Sequence, residues 1–139
     1  VVDFKPLIQL GAFTLSSGAK SRWKLECDDF ICQNLSGLAY LISLMVGPFS
    51  SVEGVPRGGL SLAEGLRPFA TLKGPHLIVD DVLTTGGSLE RARQAYDPVG
   101  GNRYDPMKVV GAVVFARGRS PLWVKAVWPM PECFWLPRE

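Results

Sequence analysis

Apolar residues fall along this chain in two rhythms, short β-prone runs and longer runs with helical spacing. Leu77-Ile78-Val79, residues 109–116 (VVGAVVFA) and residues 123–128 are almost wholly apolar. Runs without polar alternation suit parallel strands buried on both faces. Residues 49–53 read as a further short strand. A helix is expected from Asp28 or Asp29, as N-cap, through Val46, its apolar face made by Phe30, Ile31, Leu35, Leu38, Leu41, Ile42 and Met45, with Gly47-Pro48 ending it. LSLAEGL (60–66) and LERARQAY (89–96) are helix-like. Strands alternating with helices predict one α/β domain over 1–139, with a mostly parallel twisted sheet and helices on both faces.

At the start, Gly11 is read as separating a short helical piece from the β-prone Phe13-Thr14-Leu15. A polar turn over 16–21 then leads to 23–27, a hairpin-like connection in which Lys20 and Lys24 read as solvated turn residues.

The 139 residues, 47% hydrophobic and 20% charged, are enough for one core and too few for two ordinary domains. A net charge of +2 with scattered basic residues gives no support for a nucleic-acid surface. Cys27, Cys32 and Cys133 are odd in number and lack metal-ligand spacing, so free thiols in a reducing compartment are expected. The longest apolar run, 38–45, is too short to span a bilayer, and no signal-peptide layout opens the chain, which makes a cytoplasmic protein the expectation.

The chemistry concentrates in HLIVDDVLTTGGSL, residues 76–89. The buried run Leu77-Ile78-Val79 ends on Asp80 and Asp81; Val82 and Leu83 then lead to Thr84, Thr85, Gly86, Gly87 and Ser88 before a helix. Small residues at a helix start can aim backbone N–H groups at one anion, and the helix dipole adds to the attraction. Acids beside such a cradle suit a sugar phosphate, with hydroxyls taken by the carboxylates directly or through Mg2+. No Lys follows the glycines and the acids precede them, so a Walker loop is excluded. A second strand, glycine loop and helix series holds Gly54, Val55, Pro56, Arg57, Gly58 and Gly59. Arg57 there suits a diphosphate, since its planar guanidinium carries several donors and glycines let the backbone approach.

The apolar strand, DD and TTGGS together resemble the phosphoribosyl-diphosphate signature of type I phosphoribosyltransferases. That resemblance implies ribose binding by Asp80 and Asp81, 5′-phosphate binding by residues 84–88, and Mg2+ as cofactor, held by the two acids directly or through water. F-T-L-x-S-G-x-x-S, from Phe13 to Ser21, resembles the N-terminal segment of orotate phosphoribosyltransferases, in which that turn lies beside the base, implying Ser17, Gly18 and Lys20 as base contacts. Many of those enzymes carry Lys where Ser16 stands. The 54–59 loop resembles their pyrophosphate loop, with Arg57 where a Lys often stands. Arg117 resembles the Arg after a strand that contacts the base, although Ala116 replaces the usual Asp before it.

Such enzymes generally carry a long cationic lid after the segment corresponding to 60–66, and residues 67–76 leave no room for one. Lys73-Gly74-Pro75 reads as a turn before the strand. Residues 97–106 read as an exposed connection, with a substitute lid bringing Arg103 to the site as the alternative. The tail 129–139 is expected to pack at the core or an edge, a dimer contact or cover for the base being alternatives. His76 is expected to be structural, at the strand end away from the ligand. The implied activity is Mg2+-dependent transfer of a phosphoribosyl group to a base, an orotate-like pyrimidine first, with pyrophosphate released and homodimers expected. The alternative is a regulatory protein that binds the ligand but has lost the lid.

Overall fold

A computed structural model describes residues 3, 5–15, 18, 20–101 and 103–130. The expected contacts of Ser17, Cys133 and residues 131–139 lie outside these.

Strands β1 (Ile8–Thr14) and β2 (Lys20–Leu25) form a separate antiparallel hairpin. Among the described residues no helix precedes Gly11. That glycine lies inside β1 at φ 155°, where the register with β2 shifts between Leu10 and Phe13. It absorbs a bulge and so bends the strand without ending it.

Helix α1 (Cys27–Val46) starts before the expected position, after Glu26, with no side-chain cap. Asp28 and Asp29 sit in its first turn, where the dipole favours acids, and Asp29 also accepts the Lys5 backbone N–H at 2.8 Å. Its buried stripe is Cys27, Ile31, Leu38, Ala39 and Ile42. The stripe is narrower than expected, and Leu41 is exposed beside Tyr40 and Leu44. By length and composition alone this 20-residue helix could cross a membrane, with mean hydropathy 1.3 over 18 residues. The apolar run 38–45 understated that length, because Phe30 and Ile31 extend the run across the polar residues between. In this structure the helix packs on the sheet.

After α1 come β3 (Ser51–Gly54), α2 (Gly59–Leu66), a 3-10 turn (Arg67–Phe69), β4 (His76–Leu83), α3 (Gly87–Tyr96), β5 (Val109–Ala116) and β6 (Val124–Pro129). The last four strands form one parallel sheet in the order β3-β4-β5-β6. Asp80 and Asp81 lie within β4, because β5 continues alongside as far as Ala116: Asp80 pairs with Val113 and Leu83 with Ala116.

Alternation along β4 splits the core. Leu77 and Val79 pack with α1 and α2, through Ile31, Leu38, Ile42, Leu62 and Leu66. Ile78 faces the other way, with Val113, Trp123 and Leu89 of α3. Helices therefore cover both faces, as expected. The steps β3-α2-β4 and β4-α3-β5 move in the same direction across the sheet with their helices on opposite faces. Such steps have opposite hands, so one of them is left-handed, against the strong right-handed rule. The face changes at β4 without a reversal of strand order, and the change leaves a crevice at the carboxyl ends of β3 and β4. Ligands of open α/β sheets bind in such crevices.

Both long connections lie at the other end of the sheet. Thr71 N–H donates to Phe49 C=O (2.8 Å) and Ser50 N–H to Pro75 C=O (3.0 Å), fixing 70–75 beneath the start of β3. Residues 97–101 and 103–108 follow the end of α3 and are held by Arg93, whose guanidinium donates to the Gly101 (2.7 Å) and Arg103 (3.0 Å) carbonyls. The alternative of a substitute lid carrying Arg103 is thereby overturned: α3 runs away from the crevice, so the segment after it begins at the far edge. His76 is structural in place as expected, stacked on Tyr96 (3.9 Å between centroids) and bonded to Ser51 and Glu53.

Candidate functional site

A cleft of about 620 Å³ opens at the carboxyl end of the sheet. Four pieces of chain line it: Phe13, Thr14, Leu15, Lys24 and Leu25 of the hairpin; Pro56, Arg57 and Gly58; the continuous segment from Asp80 to Leu89, with Arg91; and Arg117 after β5.

The acids are held by their own backbone. Asp80 Oδ1 accepts the Asp81 N–H and Asp81 Oδ1 accepts the Val82 N–H, both at 2.8 Å. These bonds fix each carboxylate against the chain. Burial, followed by the hydrogen bond and charge of Asp81, pushes the Asp80 carboxyl up to about 8. Two carboxylates with so little compensating charge favour a proton or a cation between them. Beneath them lies Cys27, whose thiol is pushed well above its usual range by burial first and then by the charge of Asp81, so it is an inert core thiol.

Gly58 packs directly against this pair: a Cβ there would stand 2.3 Å from the Asp81 carboxylate. Gly54 and Gly59 answer a different need. A Cβ on Gly54 would meet the Gly59 carbonyl oxygen at 2.1 Å, and one on Gly59 the Val79 carbonyl oxygen at 2.3 Å. Val55 is buried and donates its N–H to Val79 (2.8 Å). Gly54, Val55 and Gly59, expected to bind pyrophosphate, thus form the packing behind the loop, while Pro56, Arg57 and Gly58 reach the cleft.

After Leu83 the backbone turns through Gly86 in the left-handed region (φ 82°), which glycine adopts at little cost, and α3 begins. Among the described residues, the hydrogen bond that the 85–88 amides make outside the helix is a long one, Gly87 N–H to Thr85 Oγ1 at 3.4 Å. The donors at this end of α3 therefore face the cleft with most of their capacity open. Asp80, Asp81, Val82, Leu83, Thr84, Thr85, Gly86, Gly87 and Ser88 all line the cleft, so acids and cradle come together.

The base-side expectations divide. Arg117 lines the cleft, 8% exposed, stacked 3.6 Å from the Trp23 ring centroid and donating to Ser21 Oγ at 3.3 Å. Burial pulls its pKa downward. Gly18 and Lys20 stay off the cleft wall; Lys20 donates to Thr14 Oγ1 (2.9 Å) instead. Ser17 lies outside the described residues. Lys24, read from sequence as a solvated turn residue, lines the cleft above Phe13, 5.1 Å from the ring centroid. The hairpin register decided that, and nothing in the local sequence carries it. Arg91 was also missed, although its place three residues after Ser88 on a helix gave a usable signal.

Among the described residues no three His, Cys, Asp or Glu side chains group as a metal cage. A pair of acids without a third protein ligand still fits Mg2+, which keeps waters and takes ligands from a phosphorylated substrate. The elevated Asp80 carboxyl is the observation that favours a cation there.

No family profile and no curated protein matches the sequence. Solved structures do. Orotate phosphoribosyltransferase from Aeropyrum pernix is similar with a TM-score of 0.67 and 24% identity, over 88% of both chains. Orotate phosphoribosyltransferase from Mycobacterium tuberculosis gives 0.64 and 20%, over 88% of this chain and 89% of that one. UMP synthase from Leishmania donovani gives 0.64 and 17%; this chain is 89% covered and spans 34% of that longer protein. With its parallel sheet, its helices on both faces and these structural likenesses, the chain has the type I phosphoribosyltransferase fold.

Proposed function

We propose that this protein transfers the 5-phosphoribosyl group from phosphoribosyl diphosphate to a ring nitrogen of a base, releasing pyrophosphate. One observation carries the reading: Asp80 and Asp81, the cradle of residues 84–88 and Arg57 border a single cleft sized for a sugar phosphate. The solved structures it resembles include two orotate phosphoribosyltransferases, which supports the same reaction class.

In this reading the 84–88 amides and hydroxyls hold the 5′-phosphate and Asp80 and Asp81 hold the ribose hydroxyls. Arg57 neutralises charge growing on the diphosphate as it leaves, and Arg117 and Lys24 border the base. Mg2+, which Asp80 and Asp81 would hold directly or through water, would supply positive charge beside the phosphorylated substrate. The chain's contribution is positioning and charge stabilisation, with no covalent intermediate. An orotate-like pyrimidine is the first acceptor to test, because Arg117 and Lys24, the latter paired with Glu26 at 3.6 Å, border the hairpin side of the cleft. A homodimer using the exposed Tyr40, Leu41 and Leu44 of α1 and a cytoplasmic setting complete the proposal.

A second reading is a regulatory protein that binds the ligand without turning it over. The position of 70–75 beneath the sheet favours it, since no lid reaches the cleft from there. Pyrophosphate release over a panel of purines and pyrimidines, run with calorimetric titration of phosphoribosyl diphosphate with and without Mg2+, separates the two. Release with one base supports the enzyme, and binding without release supports the regulator. Release that persists in Asp80→Asn and Asp81→Asn refutes the assigned roles of the acids.

A further inference from the structure

α3 carries two arginines on its inner turns with different surroundings. Arg93 is buried and committed: it pairs with Glu90 and donates to the Gly101 and Arg103 carbonyls at the far end of the sheet. Arg91 is exposed, lines the cleft and has no acid partner among the described residues. Its guanidinium donates to Ser88 Oγ at 3.1 Å, and its Nη1 lies 3.3 Å from where a Cβ on Gly87 would stand. A cation therefore rests across the mouth of the 84–88 cradle, held by one neutral hydroxyl, and that single bond is easily exchanged.

Resting on the phosphoribosyl reading above, we infer that Arg91 is a phosphate-binding residue, closing over the 5′-phosphoryl group that the 84–88 backbone holds from below. An incoming phosphomonoester dianion exchanges the Ser88 hydroxyl for two charge-assisted bonds to the guanidinium, a stronger pairing. Ser88 is then released to donate to the same phosphate. The assignment answers a deficit in the fold: with 70–75 and 97–108 at the opposite end of the sheet, the cationic cover over this group comes from α3 itself. It also divides the substrate between two arginines, Arg91 for the monophosphate end and Arg57 for the diphosphate end.

The test is a calorimetric titration of ribose 5-phosphate and, separately, inorganic pyrophosphate against the wild type, Arg91→Met, Arg91→Lys and Arg57→Met, without divalent metal. Arg91→Met should weaken ribose 5-phosphate by about 10- to 100-fold and leave pyrophosphate within about 2-fold. Arg91→Lys should fall between, since it keeps the charge and loses the fork. Arg57→Met should show the reverse selectivity. Ribose 5-phosphate affinity in Arg91→Met within about 2-fold of wild type overturns the inference, and so does an equal loss of both ligands, which would mark a general charge effect. A wild type that binds neither ligand overturns the phosphoribosyl reading itself, a result distinct from loss of the Arg91 dependence.

Discussion

The guanidinium of Arg117 lies 3.6 Å from the ring centroid of Trp23, joining the end of β5 to the N-terminal hairpin. Among the described residues the hairpin shares no backbone pairing with the main sheet, so this stack, the Arg117 bond to Ser21 and the packing of Leu7 and Leu25 on the core set how it sits over the cleft. A double-mutant cycle between Trp23→Leu and Arg117→Met, followed by urea unfolding, should give a coupling energy of about 1–2 kcal/mol. Additive single effects would show that the hairpin is held by other contacts.

Gly58 and Gly59 should respond differently to the same substitution. In Gly58→Ala the new methyl meets the Asp81 side chain, which can swing away only by giving up its bond from the Val82 N–H, so stability should fall by about 1 kcal/mol. Phosphoribosyl diphosphate binding should nevertheless drop at least about 10-fold, because the carboxylate loses its place. In Gly59→Ala the methyl meets the backbone of β4 and cannot be avoided. That variant should lose about 2–4 kcal/mol in denaturant melts. Equal stability losses in the two would contradict the division between cleft and packing.

The raised Asp80 carboxyl makes stability depend on pH. Between the ordinary value of 3.8 and about 8 the folded protein holds a proton that the unfolded chain has released. Stability from this group is therefore complete below the lower value and is lost as pH rises through the upper one. Asp80→Asn should be more stable than wild type at pH 9 by on the order of 1–3 kcal/mol, with the gap closing towards pH 4. Parallel unfolding curves across that range would remove Asp80 as the titrating group.

Arg93 is 3% exposed and satisfies two carbonyls and Glu90 together. Arg93→Met leaves them unpaired and should cost about 2–4 kcal/mol in thermal or urea unfolding. Ribose 5-phosphate binding, at the other end of α3, should stay within about 3-fold at temperatures where the variant is folded. A large binding loss with little destabilisation would mean that residues 97–108 act at the cleft after all.

How much of this was legible beforehand differs from residue to residue. The strand of residues 109–116 was readable to the residue, because a doubly buried strand must be apolar throughout. The acid pair and the glycine turn into α3 were readable because both depend on near neighbours in the chain. The helix expected before Gly11 failed because a glycine in a bulge and a glycine between elements look alike in sequence. Leu41 failed because helical spacing defines an apolar face, while the width of the surface packed against it defines which part is buried.

By itself the sequence determined the alternation of strands and helices, the phosphate-cradle signature and the absence of a long segment between α2 and β4. These are carried by residues close together along the chain, where backbone propensity and side-chain period act directly. Tertiary structure alone decided that Gly58 touches an acid while Gly54 and Gly59 touch backbone, that Lys24 and Arg91 border the cleft, and that 97–108 does not. Each depends on strand direction, hairpin register or helix face, and those are set by burying the whole core at once.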